Sequence, residues 1–181
     1  MNTETNSIEQ AWAEVKADFE ANLIPNEATL QAAFYRALRL QVDGARVVCG
    51  VAAIPGEGKR QYPDLMVIKN EKVIAAIEVK VPSREGRVPG LPNFRADVRK
   101  LYGLIAAKAT VDFHATWLEA GAPRPLARFN DDTCCYFACI GRYDSEGICQ
   151  QDVERRCAAY LPPNFRVLSL CPSKGPWAQP A

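Results

Sequence analysis

Apolar residues recur along this chain at two spacings, and the change from one to the other separates helices from strands. Ile8, Trp12, Val15 and Phe19 follow the spacing that lines up side chains on one helix face. They predict a helix from a cap at Ser7 to about Leu23, ended by Pro25. The stripe Leu30, Phe34, Ala37 and Leu38 predicts a second helix, Glu27 to Gln41, capped by Asn26 and closed by Asp43-Gly44. From Ala45 the pattern turns to runs of β-branched residues. Ala45 to Ile54 predicts a first strand, with Gly50 marking a bend or bulge. Pro55 to Arg60 reads as a turn.

The stretch from Gln61 to Val81 predicts a hairpin of two strands, Tyr62–Ile68 and Val73–Val81, around Lys69-Asn70-Glu71-Lys72. Side chains two apart in a strand share a face, so Glu78 and Lys80 project together with Ile74 and Ala76 behind them. Val73, Ala75, Ile77, Val79 and Val81 fill the opposite face. The side on which Asp64 falls depends on the turn. Pairing of Lys69 with Val73 around a three-residue loop sets Asp64 opposite Glu78 and Tyr62 opposite Lys80. A two-residue loop at Asn70-Glu71 sets Asp64 opposite Ile77, on the wrong face. Gathering Asp64 with Glu78 therefore requires the longer loop or a bulge.

After the hairpin, Pro82 to Asn93 reads as a loop containing Arg84 and Arg87, and Asn93 as the cap of a helix from Phe94 to about Thr110. Val111 to Asp132, with Trp117, Pro123 and Pro125, predicts a short helix followed by a loop. Thr133–Tyr143 is an apolar strand interior to the sheet. Asp144 to Gly147 forms a turn, Gln150–Tyr160 a helix stopped by Pro162-Pro163, and Phe165–Cys171 a last strand. The tail from Pro172 is Pro-rich and irregular. No internal repeat or dividing linker appears, so residues 26–171 form one core, preceded by a helical extension over 1–25 and followed by the tail 172–181.

Asp64, Glu78 and Lys80 stand out because uncompensated charge in an apolar sheet costs several kcal/mol or shifts its pKa, so such groups need partners or a metal. Pro63-Asp64, a spacer and Glu78-Val79-Lys80 resemble the signature of the PD-(D/E)XK nuclease superfamily. The resemblance implies a restriction-endonuclease-like αβββαβ core, an α/β fold whose mixed central sheet is flanked by helices, here with an N-terminal helix and a C-terminal αβ extension. It implies that Asp64 and Glu78 bind Mg²⁺ or Mn²⁺, with the Val79 carbonyl as a further ligand, and that Lys80 assists the attacking water. Mg²⁺ takes oxygen ligands and keeps several waters, so one or two carboxylates suffice, and it neutralises charge developing on a phosphodiester. The alternative for these residues is a surface hairpin with ordinary ion pairs. Glu27 has two readings. A carboxylate in the first turn complements the helix dipole; many superfamily members also carry a glutamate near the metal on the helix before the core sheet.

Composition adjusts this picture only slightly. The 181 residues suit one domain, and a net charge of +1 gives no global attraction to nucleic acid. Contacts to phosphate must come from local cations: Lys59 and Arg60 before the hairpin, Arg84 and Arg87 after it, and Lys100 on the following helix. Seven cysteines without CxxC spacing, and a single histidine, His114, argue for reduced core thiols rather than zinc. No leader or membrane-spanning run is apparent, which predicts a cytoplasmic protein.

The leading expectation is thus a Mg²⁺-dependent nuclease acting on phosphodiester bonds of nucleic acid, DNA above all. A homodimer would suit double-strand cutting, although the Ile8–Phe19 stripe can equally pack within one chain. The alternatives are a non-catalytic interaction or regulatory protein on the same fold, and a small-molecule-binding α/β domain. The latter lacks a Gly-rich phosphate loop.

Overall fold

A computed structural model describes residues 3–56, 58–81, 91–112, 126–140 and 150–170. The expected loop with Arg84 and Arg87, His114, Trp117, the Asp144–Gly147 turn, Cys149, Cys171 and the tail lie outside the described residues. Over these described residues the fold is α/β, a mixed and curled sheet flanked by four helices. Among the described residues no helix is long and apolar enough to cross a membrane.

Helix α1 spans Thr3–Glu20 and α2 spans Glu27–Gln41. The first begins before Ser7, which therefore lies inside it rather than capping it, and it ends before Leu23. For α2 the expected cap is present: the Asn26 side chain accepts from the Thr29 amide at 2.9 Å. The α1 stripe is satisfied within the chain, Trp12 packing on Phe34 of α2 with ring centroids 5.2 Å apart.

The expected first strand is divided into β1 (Arg46–Cys49) and β2 (Ala52–Ile54). Gly50 between them adopts a φ of +64°, a conformation open to glycine, and redirects the chain. Strand β1 then pairs with β3 (Leu65–Lys69), while β2 leaves to pair with β5 (Thr110–Asp112). Tyr62 and Pro63 precede β3 instead of belonging to it.

Strand β4 (Lys72–Lys80) is the centre of the sheet. One edge pairs antiparallel with β3 and the other parallel with β7 (Cys134–Ile140), which pairs parallel with β8 (Phe165–Leu170). Helix α3 runs Leu91–Ala106, so it starts before Asn93 and ends before Thr110. Pro92 fits there because the first turn of a helix needs no amide donor. Of the stretch Val111 to Asp132, expected to form a short helix and a loop, the described margins hold the end of β5 and the two-residue β6 (Ala127–Arg128), and residues 113–125 lie outside the described ones. Helix α4 (Gln150–Cys157) continues into a 3-10 turn, Ala158–Tyr160.

Two apolar layers enclose the sheet. On one face, Leu30, Phe34 and Leu38 with α1 cover Leu65, Val67, Ala75, Ile77 and Val79. On the other, Phe94, Val98 and Leu101 of α3 with Val153 of α4 cover Met66, Val73, Ala76 and Phe137. Cys134 and Cys135 fall on opposite faces as alternation requires, and the five described cysteines are free thiols.

Candidate active site

The hairpin turn contains only Asn70 and Glu71, both at positive φ (+49° and +60°), with Lys69 paired to Lys72. That geometry matches the twist of the flanking strands, and Asn accepts it more readily than Glu. A regular hairpin on this turn would set Asp64 against Ile77. Instead the register slips by one: Ile68 pairs with Val73 but Val67 with Ala75. The extra residue is Ile74, a β-bulge. It packs with Ala75 on the α1–α2 face, whereas Val73 joins Ala76 on the α3 face. The expected assignment of Ile74 to the Glu78 face, and of Val73 to the other, is thereby reversed. Beyond the bulge Leu65 opposes Ile77, which brings Asp64 level with Glu78.

Asp64 does not continue the ladder. Its Oδ2 accepts from the Val79 amide at 2.7 Å, taking the place of a β3 partner. The N–H and C=O of a strand residue follow the same edge, so the Val79 carbonyl also lies along the Asp64 side. From α2, Gln31 Nε2 donates to the Asp64 carbonyl at 2.7 Å, which fixes the entry into β3.

Glu78 is 1% exposed, and α3 supplies its counter-charge. Lys100 Nζ lies 2.7 Å from Glu78 Oε2 and donates to the Tyr62 carbonyl at 3.2 Å. The other carboxylate oxygen, Glu78 Oε1, is buried with no hydrogen-bond partner. Burial pushes the Glu78 pKa up to about 8; Lys100 opposes this and Asp64 and Asp97 reinforce it. Desolvation is the larger cause and carboxylate repulsion the smaller.

Lys80, on the same face of β4, sits between Glu27 Oε1 at 3.6 Å and Asp97 Oδ2 at 3.8 Å. Burial disfavours its charge, but Asp97, Asp64, Glu27 and Glu78 outweigh that and raise its pKa. Glu27 also accepts from the Val81 amide at 3.3 Å, closing the start of α2 onto the end of β4. Asp97 bridges the two lysines, its Oδ1 lying 3.8 Å from Lys100 Nζ. Burial raises the Asp97 pKa while Lys80 and Lys100 restrain it.

The structure therefore gathers Asp64, Glu78, Lys80, Glu27 and Lys100 at one end of β4. Lys100, expected at the nucleic-acid surface, is engaged with Glu78. Lys59 and Arg60 remain exposed on the segment leading into β3. Sequence reasoning overlooked two members. Asp97 is four residues before the core residue Leu101, a charged side chain on the buried flank of its helix. Gln31 is four residues after Glu27 and shares its face.

Among the described residues, no group of three or more His, Cys, Asp or Glu side chains is disposed to hold a metal ion. The donors present are fewer but of the right kind for Mg²⁺: the orphaned Glu78 Oε1 and the Asp64 carboxylate. Four carboxylates (Asp64, Glu78, Glu27, Asp97) against two lysines (Lys80, Lys100) leave a formal charge of −2 when all are ionised. An added cation would offset that excess. A separate hollow of about 660 Å³ lies at the opposite end of the hairpin, beside Lys69, Lys72 and Arg166, and contains none of these residues. Comparison of the chain with protein-family models, curated proteins and solved structures gives no match.

Proposed function

We propose that this chain is a Mg²⁺-dependent nuclease of the PD-(D/E)XK type, acting in the cytoplasm and hydrolysing phosphodiester bonds, with DNA as the favoured substrate. The observation that carries the reading is the Ile74 bulge. It sets Asp64 level with Glu78, beside Lys80, and one buried Glu78 oxygen there has no partner. Asp64, Glu78 and the Val79 carbonyl would hold the metal, with Mn²⁺ as a substitute. When bound, the ion supplies an acidified water and neutralises charge on the phosphoryl group.

The chain's own groups divide the remaining work. Lys80 is kept as an ammonium by its acidic neighbours, so it acts as a donor that orients the attacking water and the phosphate oxygen. It is not the base. Glu27 and Asp97 hold its Nζ from two sides, which limits the side-chain entropy lost when substrate arrives. Lys100 fixes the carboxyl plane of Glu78, whose proton, held near neutral pH, would have to be released for the carboxylate to hold a cation.

The 2.7 Å Lys100–Glu78 pair also favours a second reading, in which the network is structural and the chain is a non-catalytic interaction or regulatory protein. Incubation with linear, circular and branched DNA plus Mg²⁺ or Mn²⁺ separates the two. Cleavage by the wild type and its loss in Lys80→Ala are expected. No cleavage of any substrate with either metal, or equal cleavage by Lys80→Ala, overturns the nuclease reading. Nicked circles linearised at a single site would additionally point to two centres acting together, as in a symmetric pair.

A further inference from the structure

The segment that delivers Asp64 to the site also presents an aromatic ring. Tyr62 is 51% exposed, among the few large apolar side chains that the fold leaves in solvent. Its backbone is nonetheless fixed on both sides. Gln61 is locked to Ala53 by reciprocal hydrogen bonds, 2.8 Å from its amide and 2.7 Å to its carbonyl. The Tyr62 carbonyl accepts from Lys100, and Pro63, which follows with a restricted φ, is buried. Tyr62 lies two residues before Asp64, so their Cα atoms are no more than about 7 Å apart, and the Lys100 ammonium that holds its carbonyl also holds Glu78. Lys59 and Arg60, both exposed, lead into the ring.

A rigidly held, solvent-facing aromatic flanked by cations is the combination that receives an unpaired nucleobase, the ring taking its face and the cations its phosphates. We propose that Tyr62 is a stacking platform for a base next to the phosphate bound at Asp64, and that the preferred substrate is single-stranded or locally unpaired nucleic acid. A base inside an intact duplex has its faces covered by its neighbours and cannot reach such a ring. This inference rests on the nuclease reading for the position of the phosphate, but stacking itself requires no chemistry.

The test is fluorescence anisotropy with a labelled oligo-dT strand and with a mixed-sequence duplex of equal length, in Ca²⁺ to suppress cleavage. Wild type should bind the single strand more tightly than the duplex. Tyr62→Ala should weaken single-strand binding roughly tenfold or more, Tyr62→Phe and Tyr62→Trp should retain it, and duplex binding should barely move. Circular dichroism of each variant establishes that it is folded. Unchanged single-strand affinity in Tyr62→Ala, or an equal loss on both ligands, overturns the stacking site and leaves the nuclease reading intact. The expected affinity pattern without cleavage in Mg²⁺ or Mn²⁺ overturns the nuclease reading and retains the stacking site. Absence of binding to either ligand overturns both.

Discussion

The two faces of the central sheet are built from the same strands and serve different ends. Towards α1 and α2, Ile77 and Val79 of β4 meet Leu30, Phe34 and Leu38 in an apolar layer whose value is the area it removes from water. Towards α3, the alternate positions begin in the same way, with Ala76 against an apolar helix, and then carry Glu78 and Lys80 into a network of acids and lysines. Desolvation stabilises the first face and works against the second, as the raised pKa values of Glu78 and Asp97 record. One strand thus supplies stability on one side and tolerates a cost on the other. The contrast teaches that apolar burial over the rest of both faces is what permits unfavourable burial of charge at this one end of β4.

The largest expected effect falls on the apolar face. Phe34→Ala should destabilise the protein by about 3–5 kcal/mol, measured by urea denaturation, with a penalty nearly independent of pH. A penalty that varies strongly between pH 5 and pH 9 would mean that the two faces are not separable in this way.

On the charged face, stability should depend on pH through Glu78. Its folded-state pKa of about 8 exceeds the ordinary value of 4.5, so its contribution is complete below the unfolded value and is lost as pH rises through about 8. The loss should reach a few kcal/mol between pH 5 and pH 9, and Glu78→Gln should abolish it. An unchanged pH slope in Glu78→Gln would place the titrating group elsewhere. Lys100→Met should cost about 2 kcal/mol at pH 9, where it strands a buried carboxylate, and far less at pH 5, where Glu78 is protonated. Equal costs at the two pH values would show that Lys100 acts by packing alone.

Metal sharpens the same contrast. On the proposed reading, Mg²⁺ would have to displace the Glu78 proton at pH 5 but much less of it at pH 8, so it should raise the melting temperature more at pH 8. Asp64→Asn should remove that increment, and by relieving repulsion should leave the metal-free protein at least as stable. Equal increments in wild type and Asp64→Asn would place the ion away from this site. The smallest effect is expected from Gln31→Ala, about 1 kcal/mol for the lost bond to the Asp64 carbonyl.

Where one physical signal dominated, the sequence was readable. The stripes of α1 and α2, the Asn26 cap and the runs of β4, β7 and β8 each announce themselves by periodicity or by a side chain suited to one position. Strands β5 and β6, three and two residues long, are too short to carry a period and are held by pairing that only the fold provides. The Ile74 bulge is an intermediate case. Nothing about Ile74 itself marks it, but the need to bring Asp64 level with Glu78 required a bulge or a longer loop, and the two-residue turn leaves only the bulge. Within the site, Asp64, Glu78 and Lys80 were visible because charge interrupts an apolar run. Asp97 and Lys100 were less so, since on an amphipathic helix a charge at the margin of the buried stripe looks like an ordinary solvated one.

The parallel pairing of β4 with β7 also bears on how the protein is made. Glu27, Asp64, Glu78, Lys80, Asp97 and Lys100 all precede β7, so a growing chain contains the whole cluster before Cys134 has been added. Until β7 docks, the edge of β4 from Ala75 to Lys80 has no partner, and four of those six residues are apolar and buried. An unpaired apolar edge recruits strands from other chains. A fragment ending before β7 would therefore hold the whole charged cluster and yet be prone to aggregate, so pairing with β7 is what closes this edge.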